Sequence, residues 1–139
     1  MGRILAIDFG TKRIGLAISD ETQLIATGLD SIVYKEVSEV ITKLKSIITE
    51  KNVEKIILGY PLSMSGKITR LGLLVLEFKS LIEKNLQIPV ELLDERLTTE
   101  IAKQIQERVK RKPTPPKGIL DKISAILILQ DYLQRIRKP

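Results

Sequence analysis

Four carboxylates stand at positions that hydration alone does not account for: Asp8, Asp94, Glu95 and Asp121. Asp8 follows the unbroken apolar run 4–7, which reads as a strand buried on both faces. Asp94 and Glu95 follow a strand-like segment, 88–93, and Asp121 opens an apolar C-terminal helix. A carboxylate against apolar core loses solvation unless a cation compensates it, and several carboxylates together repel. In open α/β sheets the carboxyl ends of the strands are where ligands gather. The chain has no histidine and no cysteine, so a cation shared by these acids is held by oxygen alone, which selects Mg²⁺ or Mn²⁺. Two such ions about 3.5–4 Å apart activate a water and stabilise the leaving oxygen in phosphodiester cleavage.

The same absences remove the Ser–His–Asp triad, thiol nucleophiles, zinc–thiolate and iron–sulfur sites, and disulfides. Lys and Arg number 23 against 17 Asp and Glu, and the formal charge of +6 suits a polyanion partner. Lys12, Arg13, Arg96 and Lys122 flank the acids in sequence and are placed to hold backbone phosphates, with Thr11 and Thr98 beside them and Ser63 and Ser65 as further hydroxyl donors from the loop 59–66. Aromatic residues make up only 4% of the chain, which argues against a base-stacking platform. The loop 59–66 has no Walker lysine at the required offset, so a P-loop is not supported.

Each acid also has a plainer reading. Asp8 can be a satisfied turn acid, Asp94 can pair with Arg96 or cap a helix, and Asp121 can be an N-cap favoured by the macrodipole. Asp20 and Asp30 read as turn acids and Asp131 as a surface residue.

The elements that must position these groups follow from hydrophobic spacing. Strands are predicted over 4–7, 13–19, 24–33, 55–58 and 88–93, the first two forming a hairpin about the turn 10–12. Val37, Val40, Ile41, Leu44, Ile47 and Ile48 form one helix face; Leu71, Leu74, Val75, Phe78, Leu81 and Ile82 form another. A third helix, capped by Thr98 or Thr99, turns Ile101, Ala102, Ile105 and Val109 inward. The basic, proline-broken run 110–118 is the one long loop, and a deeply packed helix covers about 119–135. The order β-β-β-α-β-α-β-α-α implies a mixed sheet with helices on both faces, the later strands lying beside the first. With 43% apolar residues in 139, one domain over 1–139 can bury its own core. No stretch is long enough to span a membrane, the leading apolar run is too short for a signal peptide, and position 6 is Ala rather than a myristoylation Ser or Thr. A soluble cytoplasmic protein is expected.

Ile7-Asp8-Phe9-Gly10-Thr11-Lys12-Arg13-Ile14-Gly15-Leu16-Ala17 resembles the opening signature of the YqgF (RuvX) family of RNase H-like nucleases. Loop 59–66 is similar to that family's Gly-Leu-Pro-Leu-Asn-Met-Asp-Gly segment, Asp94-Glu95-Arg96-Leu97-Thr98-Thr99 to its Asp-Glu-Arg-Leu-Thr-Thr motif, and 121–133 to its last helix. The resemblance implies an RNase H-like α/β fold of five strands, the second antiparallel to the rest. It implies a metal-dependent nuclease processing the 5′ end of pre-16S rRNA in the cytoplasm, with Holliday junction resolution, by analogy with RuvC, as the alternative. By position the catalytic acids are Asp8, Glu95 (with Asp94 the close rival) and Asp121, and the metal ligands Asp8, Glu95 and Asp121. The chain departs from the family at Tyr60, Ser63 and Ser65, which stand for Leu, Asn and Asp. Ser124 occupies the place of a further RuvC acid.

Two readings of other classes compete. Asp8-Phe9-Gly10-Thr11 with Gly15 also resembles the first phosphate loop of actin-like ATPases, although that fold closes two domains over its nucleotide. A nucleic-acid-binding module with vestigial acids is the other. A monomer or weak homodimer is expected, and branched DNA with two scissile strands favours a symmetric dimer.

Overall fold

An apolar run without alternation must be covered on both sides. The computed structural model describes residues 2–63, 65–94, 107–108 and 118–137, and in it Ile4 to Ile7 are at most 2% exposed. The elements among the described residues are β1 (Arg3–Asp8), β2 (Arg13–Ser19), β3 (Ala26–Val33), α1 (Val37–Lys51), β4 (Val53–Tyr60), α2 (Arg70–Leu86), β5 (Val90–Asp94) and α3 (Ile119–Arg137). The strands form one sheet in the order β3-β2-β1-β4-β5. β1 and β2 pair antiparallel, as do β2 and β3, while β1–β4 and β4–β5 are parallel. The second strand thus runs against all the others. The predicted helix over 101–109 and the basic loop 110–118 lie outside the described residues, apart from 107–108 and Gly118.

Alternation along the strands sorts the core into two layers. Leu5, Ile7, Ile56 and Leu58 meet Val40 and Leu44 of α1 and Val75, Phe78 and Ile82 of α2. Ile4, Ala6, Ala17 and Ile57 meet α3 through Ala125, Ile128, Leu129, Tyr132 and Leu133. Ala6 and Ala17 are cross-strand partners, so the floor beneath α3 is low and the helix lies close to the sheet. The last helix buries one stripe rather than its whole circumference; Ile123, Ile126 and Leu127 remain half-buried. Among the described residues, no helix is long and apolar enough to cross a membrane.

Several boundaries move for identifiable reasons. β3 begins at Ala26, not Leu24, because the N–H groups of Leu24 and Ile25 donate to the Asp20 carboxylate, each at 2.8 Å, instead of to a neighbouring strand. β5 begins at Val90, not Ile88: Gln87 is left-handed with φ 50° as the C-cap of α2, and Pro89 has no N–H to give a ladder. Asp30 is not a turn acid but a residue of β3.

Asp20 is a turn acid as read. Its carboxylate accepts from the Thr22 hydroxyl and from the N–H groups of Thr22, Leu24 and Ile25. These bonds, that of the Thr22 hydroxyl foremost, hold its carboxyl well below the usual carboxylate range. The folded chain then binds the proton less readily than the unfolded chain. The stabilisation is therefore complete above the unfolded value near 3.8 and is lost as pH falls below it. Urea midpoints measured as acid is added below pH 3.8 should fall more steeply for the parent than for Asp20→Asn; equal slopes would contradict this role for Asp20.

Candidate active site at the carboxyl end of the central strand

Asp8 is the last residue of β1, and alternation with Ile4 and Ala6 puts it on the face covered by α3. Its cross-strand partner is Gly15 of β2, a pairing that sets the two Cα atoms about 5 Å apart. Gly15 lies directly beneath Asp121. A Cβ on Gly15 would stand 2.2 Å from the Asp121 carbonyl oxygen and 3.1 Å from the Asp121 Cβ. The missing side chain lets the first turn of α3 rest on the sheet, so two acids 113 positions apart in sequence flank one glycine. Arg13 lies two residues before Gly15 on the same face, and its Nη1 is 3.8 Å from Oδ2 of Asp121.

The turn after Asp8 is pinned from two sides. Phe9 packs on Phe78 of α2, with ring centroids 4.7 Å apart. The Tyr34 hydroxyl donates to the Gly10 carbonyl at 2.6 Å, and the Tyr34 N–H donates to the Lys12 carbonyl at 3.2 Å. Burial pushes the Tyr34 phenol up. Thr11 and Lys12 stand exposed at the tip of this braced turn. Sequence reasoning missed Tyr34, since its partners are more than twenty positions away and no local pattern marks it.

Asp94 ends β5 opposite Tyr60, and alternation with Leu92 and Val90 puts it on the α1–α2 face of the sheet. Asp8 and Asp121 occupy the other face. Glu95, Arg96 and Thr98 lie outside the described residues. Among the described residues, no three acidic side chains come close enough together to hold a metal ion.

Ser63 braces its own loop: its Oγ accepts from the Lys67 N–H at 3.0 Å and shares a 2.9 Å bond with the Ser65 hydroxyl. This closes a short turn whose flanks meet at the bridge Leu62–Ile68. Lys122 lies along β3; a Cβ on Gly28 would stand 2.3 Å from its Cγ, so the glycine leaves room for the aliphatic stem. The Lys122 ammonium reaches Asp30 at 3.5 Å. Arg13 and Lys122 line one open cleft of about 360 Å³ together with Asp30, Ser31, Val33 and Ile119. The structure thus places Asp121, Arg13 and Lys122 around the start of α3, with Asp8 across from Gly15 and Thr11 and Lys12 on the adjoining turn.

A five-stranded mixed sheet with its second strand reversed and helices on both faces is the RNase H-like architecture. Residues 2–135 match the model of RuvX, a family described as Holliday junction resolvase, and the chain belongs to that family. It is 41% identical over 138 residues to a protein of Flavobacterium psychrophilum, covering 97% of this chain and 98% of the relative. It is 37% identical over 134 residues to one of Koribacter versatilis, covering 96% and 88%. Both relatives are named "Putative pre-16S rRNA nuclease". Among solved structures, T. thermophilus RuvC in complex with a Holliday junction substrate shares the fold, with a TM-score of 0.59 at 13% identity over 98% of this chain and 96% of that one.

The contact at Gly15 can be tested directly. In Gly15→Ala the added methyl meets backbone, not a flexible side-chain end, so α3 must lift from β2. Overpacking of this kind is expected to cost about 2–3 kcal/mol, a fall of roughly 5–10 °C in melting temperature. A thermal melt unchanged from the parent would show that the helix does not rest on Gly15.

Proposed function

We propose that this chain is a divalent-metal-dependent endonuclease that hydrolyses phosphodiester bonds of structured nucleic acid. It is a single RNase H-like domain over residues 1–139 that acts in the cytoplasm on the 5′ end of precursor 16S rRNA. The observation that supports the reading is that Gly15, the cross-strand partner of Asp8 at the carboxyl end of the central strand, lies against Asp121. The names of the nearly full-length relatives supply the substrate class.

The donor set fits a hard divalent cation. Asp8 and Asp121 offer only carboxylate oxygens, sequence excludes softer ligands, and the guanidinium beside Asp121 marks a place that calls for positive charge. Asp8, Asp121 and Glu95 would hold Mg²⁺ or Mn²⁺. Glu95 is preferred to Asp94 as the third acid because Asp94 sits on the opposite face of the sheet from Asp8. Such an ion, when bound, supplies an activated water and neutralises the leaving oxygen. The chain's own groups do the positioning. Arg13 and Lys122 face the cleft beside the acids, where they bind backbone phosphates. Thr11 and Lys12 present a hydroxyl and an ammonium from a turn that Tyr34 and Phe9 keep rigid, and Arg96 and Thr98 follow the third acid in sequence. Ser63 acts by shaping its loop, with Ser65 and Lys67 as its partners.

The family's description favours a second reading, in which the same chemistry cuts branched DNA at a four-way junction. A monomer or weak homodimer suits the RNA substrate, whereas paired cuts at a junction need a symmetric dimer.

Precursor 16S rRNA and a four-way DNA junction, incubated side by side with Mn²⁺, Mg²⁺ or EDTA, separate the readings. Cleavage of the RNA alone supports the first, and cleavage of the junction alone the second. Asp8→Asn and Glu95→Gln should each lose about 10²-fold or more in rate, the equivalent of several kcal/mol of transition-state stabilisation, while Asp94→Asn should lose far less. Full activity in both Asp8→Asn and Glu95→Gln would remove the assignment.

A further inference from the structure

We propose that Arg13 is an exchangeable counter-ion that couples the binding of a divalent cation to the binding of a phosphate. The inference rests on the divalent-ion reading of the site given above. Without metal, the Arg13 guanidinium balances Asp121; once a divalent cation takes that carboxylate, Arg13 turns to a backbone phosphate in the adjoining cleft.

Three observations support this exchange. First, the pair is easily broken: a single contact of 3.8 Å joins side chains that are 34% and 30% exposed. Long, half-solvated ion pairs of this kind are weak. Second, Arg13 is already at the mouth of the cleft. Its Nη1 lies 3.6 Å from where a Cβ on Gly118 would stand, so a modest rotation about its side-chain bonds moves the guanidinium from Asp121 into the space lined by Ser31 and Ile119. Third, among the described residues each basic side chain of the cleft already faces an acid. Lys122 lies 3.5 Å from the fully exposed Asp30 carboxylate and Arg13 lies 3.8 Å from the less exposed Asp121, so an incoming phosphate meets Arg13 already facing a part-shielded acid. Release of Arg13 from Asp121 frees a second positive charge for the cleft. A guanidinium can then grip a phosphate with two parallel N–H bonds, a geometry an ammonium does not offer.

By linkage, a cation that tightens nucleic-acid binding is itself tightened by the same factor when nucleic acid is bound. The two basic residues of the cleft then differ in role. Arg13 carries the coupling, because its partner is Asp121. Lys122 adds attraction that does not depend on the metal, because its partner is Asp30.

The test measures two equilibria on the whole chain at 4 °C, with RNA integrity checked on a gel afterwards. Mn²⁺ affinity is read by electron paramagnetic resonance, with and without a saturating RNA hairpin. Affinity for the same fluorescein-labelled hairpin is read by anisotropy, with and without saturating Mn²⁺. The parent should show a coupling of about 5- to 20-fold, within the usual span of such linkages. Arg13→Gln should bind Mn²⁺ several-fold more tightly in the absence of RNA and lose most of the coupling. Arg13→Lys should restore the parent's weaker Mn²⁺ affinity but only part of the coupling. Lys122→Gln should weaken RNA binding by the same factor with and without Mn²⁺. The exchange is overturned if Arg13→Gln keeps the parent's Mn²⁺ affinity and coupling, or if the Arg13 and Lys122 variants behave alike. A parent chain that binds no Mn²⁺ at all would instead refute the metal reading of the site, and the exchange with it.

Discussion

The geometry of this protein depends on one close approach: the first turn of α3 resting on Gly15 of β2. Packing at that distance is possible only where a strand has no side chain, and it fixes the height and direction of the helix at its amino end. The packing continues along the helix, where Ala125, Leu129, Tyr132 and Leu133 share one buried cluster with Ala6 and Ala17. The helix is thereby held as a rigid bar across the first three strands. Its amino end carries Asp121 over Gly15, the cross-strand partner of Asp8 at the carboxyl end of β1. A scaffold of buried strand and packed helix positions such groups more tightly than two loops would.

Charge follows from this packing. Carboxylates brought to one place repel, and among the described residues Arg13 supplies positive charge to Asp121. The adjoining cleft repeats the pattern with Lys122 and Asp30. Elsewhere, ion pairs brace structure without bearing on the site. Lys55, for instance, donates to the Tyr132 hydroxyl at 2.8 Å and to Glu91 at 3.0 Å, fastening α3 to β4 and β5 far from Asp8. The Tyr132 hydroxyl and Glu91 together raise the Lys55 ammonium above its ordinary value, as befits a cation held by partners.

Much of the fold was legible in the chain because buried strands and amphipathic helices leave periodic marks. The runs at 4–7 and 55–58 and the helix faces beginning at Val37 and Leu71 correspond to β1, β4, α1 and α2. The errors lie where a side chain competes with the ladder. Leu24 and Ile25 look like strand residues, but the Asp20 carboxylate takes their N–H groups. Asp30 looks like a turn acid, yet edge strand β3 leaves its carboxylate in solvent and tolerates it. The site was legible only in part. Asp8 and Asp121 stand out in the chain by their expected place at element ends, whereas Tyr34, which braces the turn after Asp8, carries no local sign.

By itself the sequence determined the chemistry that is available: oxygen ligands only, an excess of basic side chains, and acids placed at the ends of buried elements. The first two belong to residue types alone, and the third to their order along apolar runs. Tertiary structure decided which acids share a face and which cations they meet. Asp8 and Asp121 both neighbour Gly15 through the register of β1 on β2 and the seat of α3, while the pleat of β5 turns Asp94 to the other side. A shift of one residue in either pairing would reverse those faces without changing a letter of the sequence, because side chains alternate across a strand.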